Sequence, residues 1–252
     1  MNGKSMHILV VDIGGTKIKV LASGQLQPKK IRTTPALTPQ KMVELVKRLT
    51  RGWEYEAVSI GVPALVGMQG IRQDPGNLGT GWIGFDFATA FGVPAKVIND
   101  AAMQALGSYE GGRMLFLGLG TGVGSTLIAE RVVTPLELGC LPYRKGKTMQ
   151  DFLSRKGLRW QGRRLWCREV LRCASLLHHA FSADYVVLGG GNARLLRKLG
   201  PDQLPAGVRI GHNRNAFRGG FRLWGYDLVP TLTAEGPDDL EPATPAAEWR
   251  LV

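Results

Sequence analysis

The sequence predicts an α/β protein, and three observations predict it. Apolar runs of strand length alternate with stretches of helical periodicity. Two of those runs end in Gly/Thr-rich turns, and each turn is followed at once by a second strand-like run. The hydrophobic content, 44% of 252 residues, is enough for a real core.

Ile8-Leu9-Val10-Val11 reads as a buried strand. It leads into Asp12-Ile13-Gly14-Gly15-Thr16-Lys17, and Ile18 to Ala22 reads as the returning strand. Gly14 and Gly15 lack Cβ, so their N–H groups can approach an anion closely. Thr16 adds a hydroxyl donor. Asp12, at the end of the buried strand, suits a hydrated Mg²⁺ held beside phosphates. No helix follows the glycines directly, which separates this turn from a Walker loop or a dinucleotide fingerprint.

Thr38-Pro39 reads as a helix N-cap with proline at the first position, and Met42, Leu45, Val46 and Leu49 follow at helical spacing. Ala57 to Ile60 is a strand candidate ending at Gly61-Val62-Pro63. A Gly-, Asn- and Pro-rich loop spans Gly67 to Gly84, and loops of that length in compact domains are often functional. Lys96-Val97-Ile98 is a short strand before Asn99-Asp100, and a helix begins at Ala101. Strand ends are where open α/β sheets bind ligands. A carboxylate there can take the proton of an attacking hydroxyl, although Asn-Asp before a helix also makes an ordinary cap.

The second half starts near residue 107. Met114 to Leu117 runs into Gly118-Leu119-Gly120-Thr121-Gly122-Val123-Gly124, then Ser125 to Ala129: strand, Gly/Thr turn, strand again. Two such hairpins about a hundred residues apart suit two related halves acting on one phosphate chain. Glu137 beside a glycine, with Cys140 close by, is a candidate sugar contact. A long basic helical region is expected from about Met149 to Phe181. Within it Arg164, Arg168 and Arg172 form one stripe, with Val170, Leu171, Ala174 and Leu177 turned inward. Tyr185 to Leu188 is a last buried strand, ending at Gly189-Gly190-Gly191-Asn192 before a helix at Ala193. The tail over 233–252 is acidic and proline-rich and is expected to be poorly ordered.

The net charge is +12. From Arg144 to Arg172 ten Lys/Arg residues stand against Asp151 and Glu169 alone. Such a field attracts polyanions, or serves only as a solvated face. No apolar run approaches a membrane span, and Met1 to His7 has no secretory apolar core. The three cysteines show no CxxC spacing, so neither a disulfide framework nor a four-cysteine zinc site is expected. Reduced thiols and a cytoplasmic location are.

Together these pieces resemble the ROK family of sugar kinases, and more closely its polyphosphate glucokinases. DIGGTKIK (12–19), GVPALV (61–66), NLGTGWIG (77–84), VINDA (97–101), LGLGTGVGS (117–125), ELGC (137–140) and VLGGGNA (187–193) occur in family order. The resemblance implies an actin-like ATPase, ribonuclease H-like fold: two α/β lobes, 1–106 and 107–232, with a central cleft. It implies that Asp12, Gly14, Gly15, Thr16 and Lys17 form the first phosphate loop, with Mg²⁺ held indirectly by Asp12. Gly120, Thr121 and Gly122 form the second. Gly189, Gly190, Gly191 and Asn192 lie by the adenosine of ATP. Asn99, Asp100, Glu137 and Cys140 hold glucose, and Asp100 is the general base on its 6-hydroxyl. Arg164, Arg168 and Arg172 track polyphosphate.

Two departures mark this chain. It lacks the zinc-binding cysteine cluster of many relatives, as polyphosphate glucokinases do. It also has Cys140 where the family usually places a sugar-contacting histidine, and a thiol is the poorer hydrogen-bond partner. Another hexose, or a degenerate sugar-binding protein, therefore stands as the alternative. A DNA-binding role is not expected, since the first hairpin leaves no room for a preceding helix-turn-helix. A homodimer is allowed by the resemblance, but no interface signature is evident.

Overall fold

The computed structural model describes residues 6–212, 214–226 and 249–252. The chain divides into two compact units. One is drawn from Met1–Met103 with Ala216–Trp249, the other from Gln104–Asn215 with Arg250–Val252.

The first unit opens with β1 (Ile8–Ile13), β2 (Lys17–Ala22) and β3 (Lys29–Arg32), an antiparallel meander. Helix α1 (Pro39–Leu49) follows, then β4 (Ala57–Val62), a small hairpin of β5 (Val66–Gly67) and β6 (Gly70–Ile71), α2 (Phe87–Phe91) and β7 (Ala95–Asn99). Strands β4 and β7 extend the sheet on the other side of β1, both in parallel, giving the order β3-β2-β1-β4-β7. β1 and β4 are buried along their whole lengths, as near-continuous apolar central strands must be.

Thr38 caps α1 by accepting the Lys41 N–H at 3.3 Å, and Pro39 occupies the first turn, where no N–H is needed. Met42, Val43 and Val46 pack into the core with Leu9, Val11, Val58 and Ile60. Inside the long glycine-rich loop, Asp74 accepts the Trp82 N–H at 2.8 Å, and the Trp82 ring is fully buried.

Helix α3 (Asp100–Ser108) leads to the second unit: β8 (Met114–Leu119), β9 (Val123–Ala129), β10 (Val132–Leu136), α4 (Met149–Leu153), α5 (Arg155–Gln161), α6 (Arg163–Ala180), β11 (Tyr185–Gly189) and β12 (Val208–Ile210). β8, β9 and β10 form an antiparallel meander, and β11 and β12 add in parallel beyond β8. The order β10-β9-β8-β11-β12 repeats that of the first unit strand for strand. Two sheets of this one topology make the fold the actin-like ATPase fold.

The structure differs from the sequence expectation in three places. The basic region over 149–181 is three helices, not one. Ser154 is extended between α4 and α5, and Gly162, at φ 76° and ψ 161°, separates α5 from α6. The second difference is α7 (Asn215–Arg222), which from Ala216 onward belongs to the first unit, so that unit is not confined to 1–106. Ser59, fully buried in β4, donates to the Gly220 carbonyl at 2.6 Å and accepts from Trp224 Nε1 at 2.9 Å. The third concerns the chain end. Most of the tail expected over 233–252 lies outside the described residues. Its last residues are described, and β13 (Arg250–Leu251) pairs in parallel with Val132–Val133. Among the described residues no helix is long and apolar enough to cross a membrane.

Candidate functional site

In the first unit the turn after β1 is closed by the Gly14 N–H donating to the Lys17 carbonyl at 3.0 Å. Gly15, Thr16 and Lys17 are exposed. Neither glycine has a positive φ, so the turn does not demand glycine for its conformation. The Gly14 N–H is taken by the turn, whereas the exposed backbone of Gly15 is accessible to an anion. Asp12 lies at the end of β1, only 1% exposed, and its Oδ2 accepts from Lys19 Nζ at 2.6 Å.

Asp100 begins α3 immediately after β7. Two neighbours position it. Gly61, at the end of β4, brings that strand so close that a Cβ there would stand 3.4 Å from the Asp100 Cα and 2.4 Å from the Met103 methyl. Asn99 caps the helix: its Oδ1 accepts the N–H groups of Ala101 and Ala102 at 3.0 and 3.1 Å, and its Nδ2 donates to the Ala64 carbonyl at 3.0 Å. Asp100 Oδ1 accepts the Ala101 N–H at 2.8 Å, and Oδ2 bonds to no other described residue. Burial, and then the charge of Asp12, push the Asp100 carboxyl up to about 7, against the opposing pull of the Ala101 N–H and the Lys19 ammonium. A carboxylate poised near neutrality whose Oδ2 bonds to no other described residue can accept a proton from a hydroxyl.

In the second unit the Gly120 N–H donates to the Gly122 carbonyl at 3.1 Å, closing the equivalent turn. Thr121 is exposed at its tip. A Cβ at Gly122 would stand 2.9 Å from Gln150 Oε1, which also accepts the Val123 N–H at 3.4 Å. The turn over Gly189 to Asn192 lies against this one. Asn192 donates its backbone N–H to the Leu119 carbonyl at 2.9 Å and its Nδ2 to the Gly120 carbonyl at 3.3 Å. The helix expected at Ala193 is a 3-10 helix over Ala193–Lys198.

Glu137 precedes a 3-10 turn over Leu138–Cys140, and the Cys140 N–H donates to its carbonyl at 3.0 Å. That turn is tied to β9, because Ser125 Oγ accepts the Leu138 N–H at 3.0 Å and donates to the Leu136 carbonyl at 2.7 Å. The Glu137 side chain is exposed, yet partial desolvation of its carboxyl raises the pKa above the ordinary range. Cys140 is exposed.

Arg164, Arg168 and Arg172 lie exposed along α6, and none forms an ion pair with a described residue. Val170, Ala174 and Leu177 are buried on the opposite face and Leu171 is half-buried. Arg168 and Arg172 border an open groove floored by Leu171 and Pro205, with His179 further along it.

Among the described residues no three His, Cys, Asp or Glu side chains gather as a metal-ligand group. Asp12 is a single carboxylate. One carboxylate completed by waters and substrate phosphates is a common Mg²⁺ donor set, so Asp12 fits that ion when it comes with a phosphate donor. Sequence reasoning missed Lys19, Gln150 and Ser125. Lys19 had a signal: a hairpin that pairs Ile13 with Ile18 necessarily sets Lys19 opposite Asp12. Gln150 and Ser125 act through contacts distant in sequence and had none.

A family model described as the ROK family matches residues 8–134, just over half of the chain. The fold is similar to that of an inorganic polyphosphate/ATP-glucomannokinase from Arthrobacter sp. strain KM, with a TM-score of 0.71, 24% identity, and 85% of this chain and 96% of that one covered. A ROK family glucokinase from Streptomyces griseus, in complex with glucose and AMPPNP, matches with a TM-score of 0.65 at 19% identity, over 84% of this chain and 97% of the other. A ROK family transcriptional regulator, a homolog of the E. coli MLC protein, matches with a TM-score of 0.61 at 13% identity, over 85% of this chain and 76% of the other. No curated protein matches the chain. At these identities the likeness establishes the fold alone.

Proposed function

The chain belongs to the ROK family, and on that premise we propose that it is a hexose kinase moving a phosphoryl group from polyphosphate, ATP or both to the 6-hydroxyl of glucose. The observation that carries this reading is Asp100: a half-buried carboxyl pushed up to about 7, whose Oδ2 bonds to no other described residue, in the same unit as a glycine turn and the buried carboxylate of Asp12.

Asp100 Oδ2 accepts the proton of the sugar hydroxyl as its oxygen attacks the phosphorus. Asn99 keeps one amide N–H for a sugar hydroxyl, since its other polar groups hold α3 and Ala64. Glu137 and Cys140 complete the sugar contacts. Gly14, Gly15, Thr16 and Lys17 bind the transferring phosphate, and Gly120, Thr121 and Gly122 bind the rest of the donor. Asp12 would hold Mg²⁺, which when bound would neutralise charge on the phosphates. In the turn from Gly189 to Asn192, Gly191 is the exposed residue and presents its backbone to adenosine when ATP is the donor. The stripe of Arg164, Arg168 and Arg172, which pairs with no acid among the described residues, favours polyphosphate, because a long polyanion gains from charge beyond the reacting phosphate.

Two kinases of the same fold, an inorganic polyphosphate/ATP-glucomannokinase and a ROK family glucokinase bound to glucose and AMPPNP, support the class of reaction. A regulator of the same fold keeps a second reading alive, a sugar binder without turnover, and Cys140 in place of the family histidine is the observation that favours it. The deciding experiment is phosphorylation of glucose with Mg²⁺, comparing polyphosphate and ATP, on wild type and Asp100→Asn. Turnover in the wild type, lost in the variant with sugar affinity retained, is expected. Sugar binding without turnover in both proteins would leave the binder reading standing and sink the kinase.

A further inference from the structure

We propose that Lys19 is the resident counter-cation of Asp12 and gives up that carboxylate when Mg²⁺ arrives together with a phosphate donor, the ammonium then turning to the donor's oxygens. The inference rests on the kinase reading for the nature of the donor, but not for the exchange of cations at Asp12.

The hairpin register sets Lys19 directly across from Asp12, and the ammonium stands 2.6 Å from Oδ2. The two partners differ sharply in burial. The Asp12 side chain is 2% exposed and that of Lys19 is 33% exposed. The carboxylate is therefore fixed in the sheet, whereas the ammonium, on a flexible four-carbon stem, has an open path to solvent. Asp12 makes no other side-chain hydrogen bond to a described residue. A buried carboxylate stripped of its one partner is costly, so either Lys19 or another cation has to attend it. The charge of Asp12 also bears on Asp100, so this corner of the unit holds two carboxylates against one lysine.

Two consequences follow for binding. Mg²⁺ alone must displace an ammonium that already neutralises its ligand, so it binds weakly. A phosphate donor offers Lys19 a replacement partner, since an ammonium with three donors suits phosphoryl oxygens. Donor and metal are then coupled through Lys19, each strengthening the other, and the coupling is reciprocal.

The test is isothermal titration with Mg²⁺ alone, and separately with inorganic tripolyphosphate alone, on wild type, Lys19→Met and Lys19→Arg. Lys19→Met is expected to bind Mg²⁺ about tenfold or more tightly than wild type, to bind tripolyphosphate more weakly, and to gain in thermal midpoint when Mg²⁺ is added. Lys19→Arg, which keeps the charge, should behave as wild type with Mg²⁺. Asp12→Asn/Lys19→Met should lose the Mg²⁺ response altogether. Should Lys19→Met fail to fold, Lys19→Gln, which keeps a donor for Asp12 without the charge, takes its place with the same expectations. Equal Mg²⁺ affinities in wild type and the uncharged variant would overturn the proposal. None of these readouts needs turnover, so a missing kinase activity and a missing cation exchange are separate failures.

Discussion

Gly190 is folded onto the backbone of Leu119: at φ +80°, a Cβ at Gly190 would stand 2.6 Å from the Leu119 carbonyl oxygen. The approach joins the ends of β11 and β8, which are paired through Gly189 and Gly118, and it delivers Asn192 to the second glycine turn. Gly190→Ala meets both a left-handed backbone and a backbone clash. It is expected to cost about 2–3 kcal/mol, seen as a lower urea midpoint with unchanged slope. Gly191→Ala, with open space at its Cβ and no positive φ, serves as the control and should stay within about 0.5 kcal/mol of wild type. Equal stability of the two variants would contradict this account of the turn.

The contrast between those two glycines shows what a sequence read alone carries. The strands β1, β8 and β11 were legible because each is a buried apolar run, and the hairpins because glycines interrupt two such runs. Thr38-Pro39 marked the start of α1 because cap chemistry is local. That Gly190 needs glycine and Gly191 does not depends on Leu119, 71 residues away, and no local pattern encodes it. At the break between α4 and α5 a Cβ at Gly157 would stand 2.0 Å from the Phe152 carbonyl oxygen, a local close approach that helical periodicity over 149–181 conceals. The return of α7 to the first unit, like the need for Gly190, is set by distant partners, since Ser59 and Gly220 meet across 161 positions. Of the candidate site, the residue types were legible. The Asp12–Lys19 pair depends on the hairpin register, whereas in the linear sequence Lys17 is the lysine nearer the glycines.

Asp100 gives opposite signs to stability and activity. Its folded pKa of about 7 lies above the ordinary value of roughly 3.9. Its favourable contribution to stability is therefore complete below about pH 4 and is lost as the pH rises through about 7. Asp100→Asn never ionises and should be more stable than wild type at pH 8, on the order of 1 kcal/mol or more, with the gain shrinking towards pH 5. A general base works only when ionised, so kcat/KM for the sugar should climb to a plateau above about pH 7 in wild type and fall roughly 10²–10⁴-fold in the variant. Thermal midpoints and rate profiles over the same pH series check both signs. A variant destabilised at pH 8 would mean that Asp100 is a structural cap and not a strained acid.

The arginine stripe on α6 makes a prediction about the donor alone. Arg164→Gln/Arg168→Gln/Arg172→Gln alters only exposed side chains without ion-pair partners among the described residues, so stability should hardly change. The KM for long-chain polyphosphate should rise roughly tenfold at low salt while that for ATP stays put, and added salt should erase the difference between the variant and wild type. Equal effects on both donors, or none on either, would return the stripe to a solvated surface.

Cys140 tests which sugar the site is built for. It ends a 3-10 turn that is anchored by Ser125 to β9, so its position is set by backbone bonds and a new side chain there need not disturb the turn. Its exposure leaves space for an imidazole. A histidine adds a donor or acceptor where the thiol offers little. One neutral hydrogen bond is worth about 0.5–1.5 kcal/mol, which corresponds to roughly a two- to tenfold change in affinity. If glucose is the substrate, Cys140→His should lower its KM by that factor with kcat unchanged, because a sugar contact made equally in ground and transition states alters binding alone. Cys140→Ala should stay close to wild type, since it removes a weak partner. A KM for glucose that rises in Cys140→His, while a hexose with a different substituent is used well by the wild type, would mean that the small side chain makes room for that substituent, and the kinase would then be one for that other sugar.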